Sequence, residues 1–219
     1  MGNKITIVGC GPGVADLITV KGRQTIEKAG VIAGSRRLIE TFTGGSAART
    51  IVIEKDYGKG LSGLMTAPEG TNIVLLVSGD PLLSSLGTLA IKKLGKERCE
   101  VIPGVSSFQQ AFASLKEGWT DHNIISLHGK DSHNIKKIFS ENPKFALLLD
   151  PDRNLKYIKE AVGEAAGSEY EYHVASNLSL RGEEVKELSF EELATHPEQS
   201  LSILIVKKKK TAGGGKEAE

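Results

Sequence analysis

The sequence predicts an α/β chain of two domains with a cleft between them, an N-terminal domain on a mainly parallel sheet and a C-terminal domain on a mixed sheet. Three observations predict it. Short β-branched runs alternate with helical patterns through the first half of the 219 residues, the run Ile73-Val74-Leu75-Leu76-Val77 is apolar at every position, and the last three strand candidates follow one another with little helix between them. Regular alternation implies layered α/β units with right-handed crossovers. An unbroken apolar strand implies helices on both faces of a parallel sheet. Strands in succession imply antiparallel partners, hence a mixed second sheet.

The elements follow in order. In a first domain of residues 1–115, strands are expected at 4–8, 30–33, 50–53, 72–77 and 100–102. Helical patterns lie between them at 20–29, 36–41, 59–65, 87–94 and 107–115. Thr19 leads into the first helix, and Ser106 and Ser107 stand where helix caps belong. A polar stretch from Lys116 to His122 opens the second domain, 116–207, with strands at 123–127 and 145–149 and helices near 132–139 and 154–165. Strands at 170–175, 184–188 and 201–206 close it. Residues 208–219, which follow Lys207 and open with Lys208, Lys209 and Lys210, lack apolar residues to pack and read as a solvated, flexible tail.

Composition narrows the function. Hydrophobic content of 39% and charge of 25% suit a globular chain. A net charge of +1 gives no basic surface for nucleic acid, and 5% aromatics supply no base-stacking platform. No apolar run reaches membrane-span length and no leader precedes the first strand, so neither membrane nor export is expected. Cys10 and Cys99 stand apart without metal spacing and read as reduced, buried thiols of a cytoplasmic protein; no metal site is expected.

The loop Gly9-Cys10-Gly11-Pro12-Gly13, after the first strand, invites comparison with a dinucleotide fingerprint. G-x-G-x-x-G would need glycine at Val14, Pro12 removes an N–H that a phosphate could use, and the second strand ends in Gly34-Ser35-Arg36-Arg37 without a ribose acid. NAD is therefore not the expected ligand. Two further strands end in similar loops, Ser78-Gly79-Asp80-Pro81 and Pro103-Gly104-Val105-Ser106-Ser107. In a parallel sheet all three emerge on the edge where ligands sit, and Gly104 lets backbone come close to a ligand. None has a P-loop ending, so a small polar molecule held by backbone amides and carbonyls fits better than a triphosphate. His128 ends a strand, either as a structural residue or facing substrate. Asp150 ends another, either capping the turn through Pro151 or touching a ligand.

These motifs, Val8-Gly9-Cys10-Gly11-Pro12-Gly13 with Asp16-Leu17-Ile18-Thr19, then Val77-Ser78-Gly79-Asp80-Pro81, then Ile102-Pro103-Gly104-Val105-Ser106-Ser107, resemble the tetrapyrrole (corrin/porphyrin) methylases over residues 4 to about 206. The resemblance implies S-adenosyl-L-methionine as cofactor, a precorrin-type tetrapyrrole substrate, two α/β domains and a homodimer. By motif, Pro12, Gly79, Asp80, Leu83, Ser106 and Ser107 would line the cofactor site, joined by Leu149, Asp150, Asn177 and Leu178 of the second domain. Gly11 and Gly13 would border the macrocycle. Arg36, Arg37 and Lys130 either pair with substrate carboxylates or are solvated surface charges.

Within the family, Ala33-Gly34-Ser35-Arg36-Arg37-Leu38 and Ser126-Leu127-His128-Gly129-Lys130 are similar to the members that methylate C5 of cobalt-precorrin-7 in cobalamin biosynthesis. The chain resembles the stand-alone form, with a C15-methyltransferase/decarboxylase expected on another polypeptide of the pathway. One departure is Ser84-Ser85-Leu86 before Gly87, where many members carry an aromatic residue. Methyl transfer from a sulfonium is mainly a matter of alignment. Where a base is wanted, Asp16 and His128 are the candidates. The alternatives are a methylase acting at another ring position or on uroporphyrinogen, and a non-catalytic tetrapyrrole- or nucleotide-binding module.

Overall fold

The computed structural model describes residues 3–128, 134–197 and 201–210. The chain divides into two compact units, Met1–Gln110 and Ala111–Glu219.

In the first unit, β1 (Ile5–Gly9), β2 (Val31–Gly34), β3 (Arg49–Val52), β4 (Ile73–Val77) and β5 (Cys99–Ile102) form a sheet in the order β3-β2-β4-β1-β5, parallel throughout. The apolar run of β4 is buried at all five positions. Its two faces go to two different cores. Val74 and Leu76 pack with Ile26 of α1 (Val20–Glu27) and Leu38 of α2 (Arg36–Phe42). Ile73, Leu75 and Val77 pack with Leu61 and Leu64 of α3 (Tyr57–Leu64) and Ala90 of α4 (Leu86–Leu94). That is how a strand covered on both faces must read in sequence.

The strand order positions the site. From β1 the chain crosses through α1 toward β2, and from β4 it crosses through α4 toward β5, over the opposite face. These neighbouring strands therefore send their crossovers in opposite directions. Their carboxyl ends form a topological switch point, the place where open α/β sheets bind ligands. The last helix to leave this edge, α5 (Ser107–Leu115), contains the division between the two units.

In the second unit, β6 (Asn123–Ser126), β7 (Lys144–Leu148), β8 (Tyr170–Ser176), β9 (Glu184–Leu188) and β10 (Ser202–Lys208) form a sheet in the order β6-β7-β10-β8-β9. Only β6 and β7 are parallel; the other pairings are antiparallel, so this sheet is mixed. Helices α6 (Ile135–Glu141), α7 (Leu155–Val162) and α8 (Glu164–Gly167) accompany it. Phe139, Phe145, Tyr170, Tyr172 and Phe190 build an aromatic core, and the Tyr172 hydroxyl donates to Gly167 O at 2.7 Å.

Three expectations need correction here. The helical pattern at 154–165 is two helices, because Gly163 takes φ +80° and ends α7. The helix expected from 132 begins at Ile135, with Asn134 accepting the Lys137 N–H as its cap. Lys208, placed at the head of the tail, belongs to β10 and pairs with Tyr170, and Lys209 N–H donates to Glu169 O at 2.8 Å. The remainder of the expected tail, 211–219, lies outside the described residues. Among the described residues no helix is long and apolar enough to cross a membrane.

Candidate functional site

The glycines at the carboxyl edge of the first sheet are there because three loops touch backbone to backbone. Past the end of β1, Cys10 N–H donates to Val77 O at 2.9 Å. Gly79 N–H then donates to Gly11 O at 2.7 Å, an antiparallel rung beyond the parallel ladder. Both residues of that rung adopt positive φ, +65° at Gly11 and +63° at Gly79, which favours glycine. The third loop closes on the other two. A Cβ on Gly104 would lie 2.5 Å from Gly79 O and 2.6 Å from Gly9 C, and a Cβ on Gly9 would lie 2.6 Å from Gly104 N. Gly104 thus brings the loops together; its missing side chain is taken up by protein backbone, which corrects the expectation that it makes room for a ligand.

The third glycine of the junction is less crowded. At Gly79 a Cβ would meet nothing closer than Ser106 Cα at 3.8 Å and Ser107 N at 3.9 Å. Gly79 thus packs beside the first turn of α5 at ordinary contact distance. That turn is held by a reciprocal capping box: Gln109 N–H donates to Ser106 Oγ at 3.1 Å, and Ser106 N–H donates to Gln109 Oε1 at 2.8 Å. Asp80 is half-buried, and its Oδ1 accepts the Leu82 N–H at 2.8 Å. Its other carboxylate oxygen makes no hydrogen bond among the described residues, so the edge offers a carboxylate oxygen next to Gly79. Pro12 is buried in the loop, and Leu83 exposes a third or so of its surface (37%).

The arginines expected for substrate separate. Arg36 is exposed and lies 3.8 Å from Glu54 Oε1, a surface ion pair. Arg37 is half-buried and turns inward. Its Nη2 donates to Ser78 Oγ at 3.1 Å, and Nη1 donates to Pro12 O at 3.5 Å. Burial lowers its pKa, with the nearby Cys10 pulling the other way. Cys10 itself is pushed up to about 12 by burial, so its thiol is protonated and unreactive at neutral pH. Asp16 is exposed on the 3-10 turn Ala15–Leu17, where it makes no capping hydrogen bond among the described residues. Lys130 and Gly129 lie outside the described residues.

In the second unit, Asp150 follows β7 and Oδ1 accepts the N–H groups of Asp152 at 3.0 Å and Arg153 at 2.8 Å. The capping role expected through Pro151 is therefore real geometry. The Arg153 guanidinium lies 4.0 Å from Asp150 Oδ2 and donates to Leu127 O, joining the ends of β6 and β7. His128, next in chain, feels both charges. Desolvation lowers its pKa, Asp150 raises it and Arg153 lowers it, so the neutral ring is favoured. Leu149 and Leu178 are buried, and Asn177 takes φ +49°, its N–H donating to Leu201 O at 3.0 Å. Sequence reasoning missed Ser78, Gln109 and Arg153. Only Gln109 carried a local signal, the S-x-x-Q spacing of a capping box.

The family profile of tetrapyrrole (corrin/porphyrin) methylases matches residues 4–194. A probable cobalt-precorrin-7 C(5)-methyltransferase from Methanocaldococcus jannaschii is 32% identical over 206 residues, covering 92% of this chain and 96% of that protein. The crystal structure of a precorrin-6Y methylase from Archaeoglobus fulgidus superposes with a TM-score of 0.74 at 22% identity, over 95% of this chain and all of that one. A Thermus thermophilus uroporphyrin-III C-methyltransferase solved with S-adenosylhomocysteine gives a TM-score of 0.70 at 19% identity, over 94% of this chain and 92% of that one.

Proposed function

Starting from the chain's membership of the tetrapyrrole (corrin/porphyrin) methylase family, we propose that it transfers a methyl group from S-adenosylmethionine to C5 of precorrin-7 or its cobalt form in cobalamin biosynthesis. That it is a methyltransferase of cobalamin biosynthesis follows from the family and from the full-length relative. The ring position rests on that relative's name and on the motifs around Arg36 and His128.

The observation that carries the donor reading is the interlocking of Gly9, Gly79 and Gly104 at the switch point. The residues around that junction fit an adenosyl donor: backbone amides and carbonyls, one available carboxylate oxygen on Asp80, and the hydroxyls of Ser106 and Ser107. Pro12, Gly79, Asp80, Leu83, Ser106 and Ser107 would hold it. When bound, the donor supplies a methyl group on a positively charged sulfur, a good electrophile with a neutral leaving group. The chain's residues then have mainly to orient the reacting carbon and keep water away. A preformed backbone cradle does this at little cost in reorganisation. Asp16 and His128 remain the residues able to take a proton from the macrocycle; His128, favoured neutral, is ready to accept one.

The test is turnover with methyl-13C-labelled S-adenosylmethionine and precorrin-7, with the product read by NMR. The expected result is one new methyl signal at C5. A methyl on another carbon would overturn the ring assignment while leaving the methylase reading intact, and no binding of S-adenosylhomocysteine would overturn the donor reading.

A further inference from the structure

Arg37 stands where α2's own electrostatics do not want it. It is in the first turn of a helix, beside Arg36, with no acidic residue in that turn, so both cations face the positive end of the helix dipole. Something other than helix stability must account for it. Its guanidinium supplies the answer: one nitrogen donates to Ser78 Oγ in the loop after β4, and the other points at Pro12 O in the loop after β1. Gly13 completes the arrangement. A Cβ there would lie 1.8 Å from Arg37 Nη1, so the glycine, at φ +121°, leaves the space that the guanidinium fills.

We propose that Arg37 is a positioning residue that clamps the β1 loop to the β4 loop, so that Pro12, Gly79 and Asp80 meet the methyl donor as one rigid surface. It is then committed to protein partners and is not a receptor for substrate carboxylates. The inference rests on the donor reading above. The planar fork offers donors on two separate nitrogens in a fixed geometry, one to each loop, which the single ammonium nitrogen of a lysine does not reproduce.

The test separates donor from tetrapyrrole. S-adenosylhomocysteine affinity is measured by calorimetry, and KM for each substrate by turnover, for wild type, Arg37→Ala, Arg37→Lys and Ser78→Ala. Arg37→Ala is expected to weaken S-adenosylhomocysteine binding about tenfold, the scale of a lost charge-assisted hydrogen bond, with tetrapyrrole KM unchanged. Arg37→Lys should not rescue it. Ser78→Ala, a surface change that leaves folding intact, should weaken binding about threefold alone and not at all on top of Arg37→Ala, because the two act through one contact. Three results would each overturn the clamp: unchanged donor affinity in both Arg37→Ala and Ser78→Ala, a raised tetrapyrrole KM with unchanged donor affinity, or full rescue by lysine. Wild type that fails to bind S-adenosylhomocysteine would bring down the donor reading and the clamp together; wild type that binds while the variants match it sinks the clamp alone.

Discussion

On the proposed reading, single residues at the switch point divide into those that join loops and those that would face the donor, and the two classes should fail differently. Gly104→Ala would force a methyl group against Gly79 O and Gly9 C. Relief requires moving backbone, so a loss of about 1–3 kcal/mol in denaturant unfolding is expected, the cost of overpacking, together with loss of S-adenosylhomocysteine binding. Asp80→Asn keeps an oxygen for the Leu82 N–H and so keeps the turn. It should leave unfolding within about 0.5 kcal/mol of wild type, as surface changes do, while weakening donor binding about tenfold. The glycines of this edge were legible as a group, since only a loop that must turn or touch would spend so many. Which neighbour each one meets was not legible. Gly104 read as room for a ligand because the partner backbone, Gly79 and Gly9, is far off in sequence. Arg37 read as a free charge for the same reason: Ser78, its partner, lies in another strand's loop.

At the scale of elements, patterning foretold most of the outcome. β4 announced itself because a strand buried on two faces has no polar position, and Leu75→Ala there should cost about 2–5 kcal/mol, measured by the shift in denaturant midpoint. Element ends were less legible. Ala161 to Ala165 continues a helical pattern, and only the positive φ of Gly163 reveals the break. Lys208 looked like tail because lysines carry no strand signal, yet backbone pairing with Tyr170 extends β10 through it. The segment entering β6 adds a pH dependence. His122 is buried against Phe112, ring centroids 4.7 Å apart, with Nδ1 2.9 Å from Asp121 Oδ1 and Nε2 lacking a hydrogen bond among the described residues. Burial, only partly opposed by Asp121, holds its pKa below the ordinary 6.5. The unfolded chain then binds the proton first, so this stability is complete above 6.5 and is lost as pH falls through the depressed value. Glu117, held low by its bond to Lys207, acts with the same sign at more acidic pH. Unfolding midpoints followed from about pH 8 down to about pH 5 should fall, and His122→Phe should flatten the upper part of that slope. An unchanged slope would mean that His122 is not the group responsible.

The molecule as a whole is two sheets of different character, and its fold recurs in solved methylases at TM-scores of 0.74 and 0.70 although identity is 22% and 19%. Fold is therefore preserved at low identity; in this chain the switch point of the first sheet is built from glycines and carbonyls with the Arg37–Ser78 hydrogen bond across it. The sequence displayed that part through its three loops. It did not display which ring carbon is methylated, since that depends on how an entire macrocycle lies against side chains drawn from many segments. The central claim is that the loops after β1, β4 and β5 make one cradle for the methyl donor. A crystal structure grown with S-adenosylhomocysteine tests it most directly. The account predicts the ligand against Gly79 and Asp80, beside Ser106 and the first turn of α5; a ligand bound with no contact to these residues would contradict it.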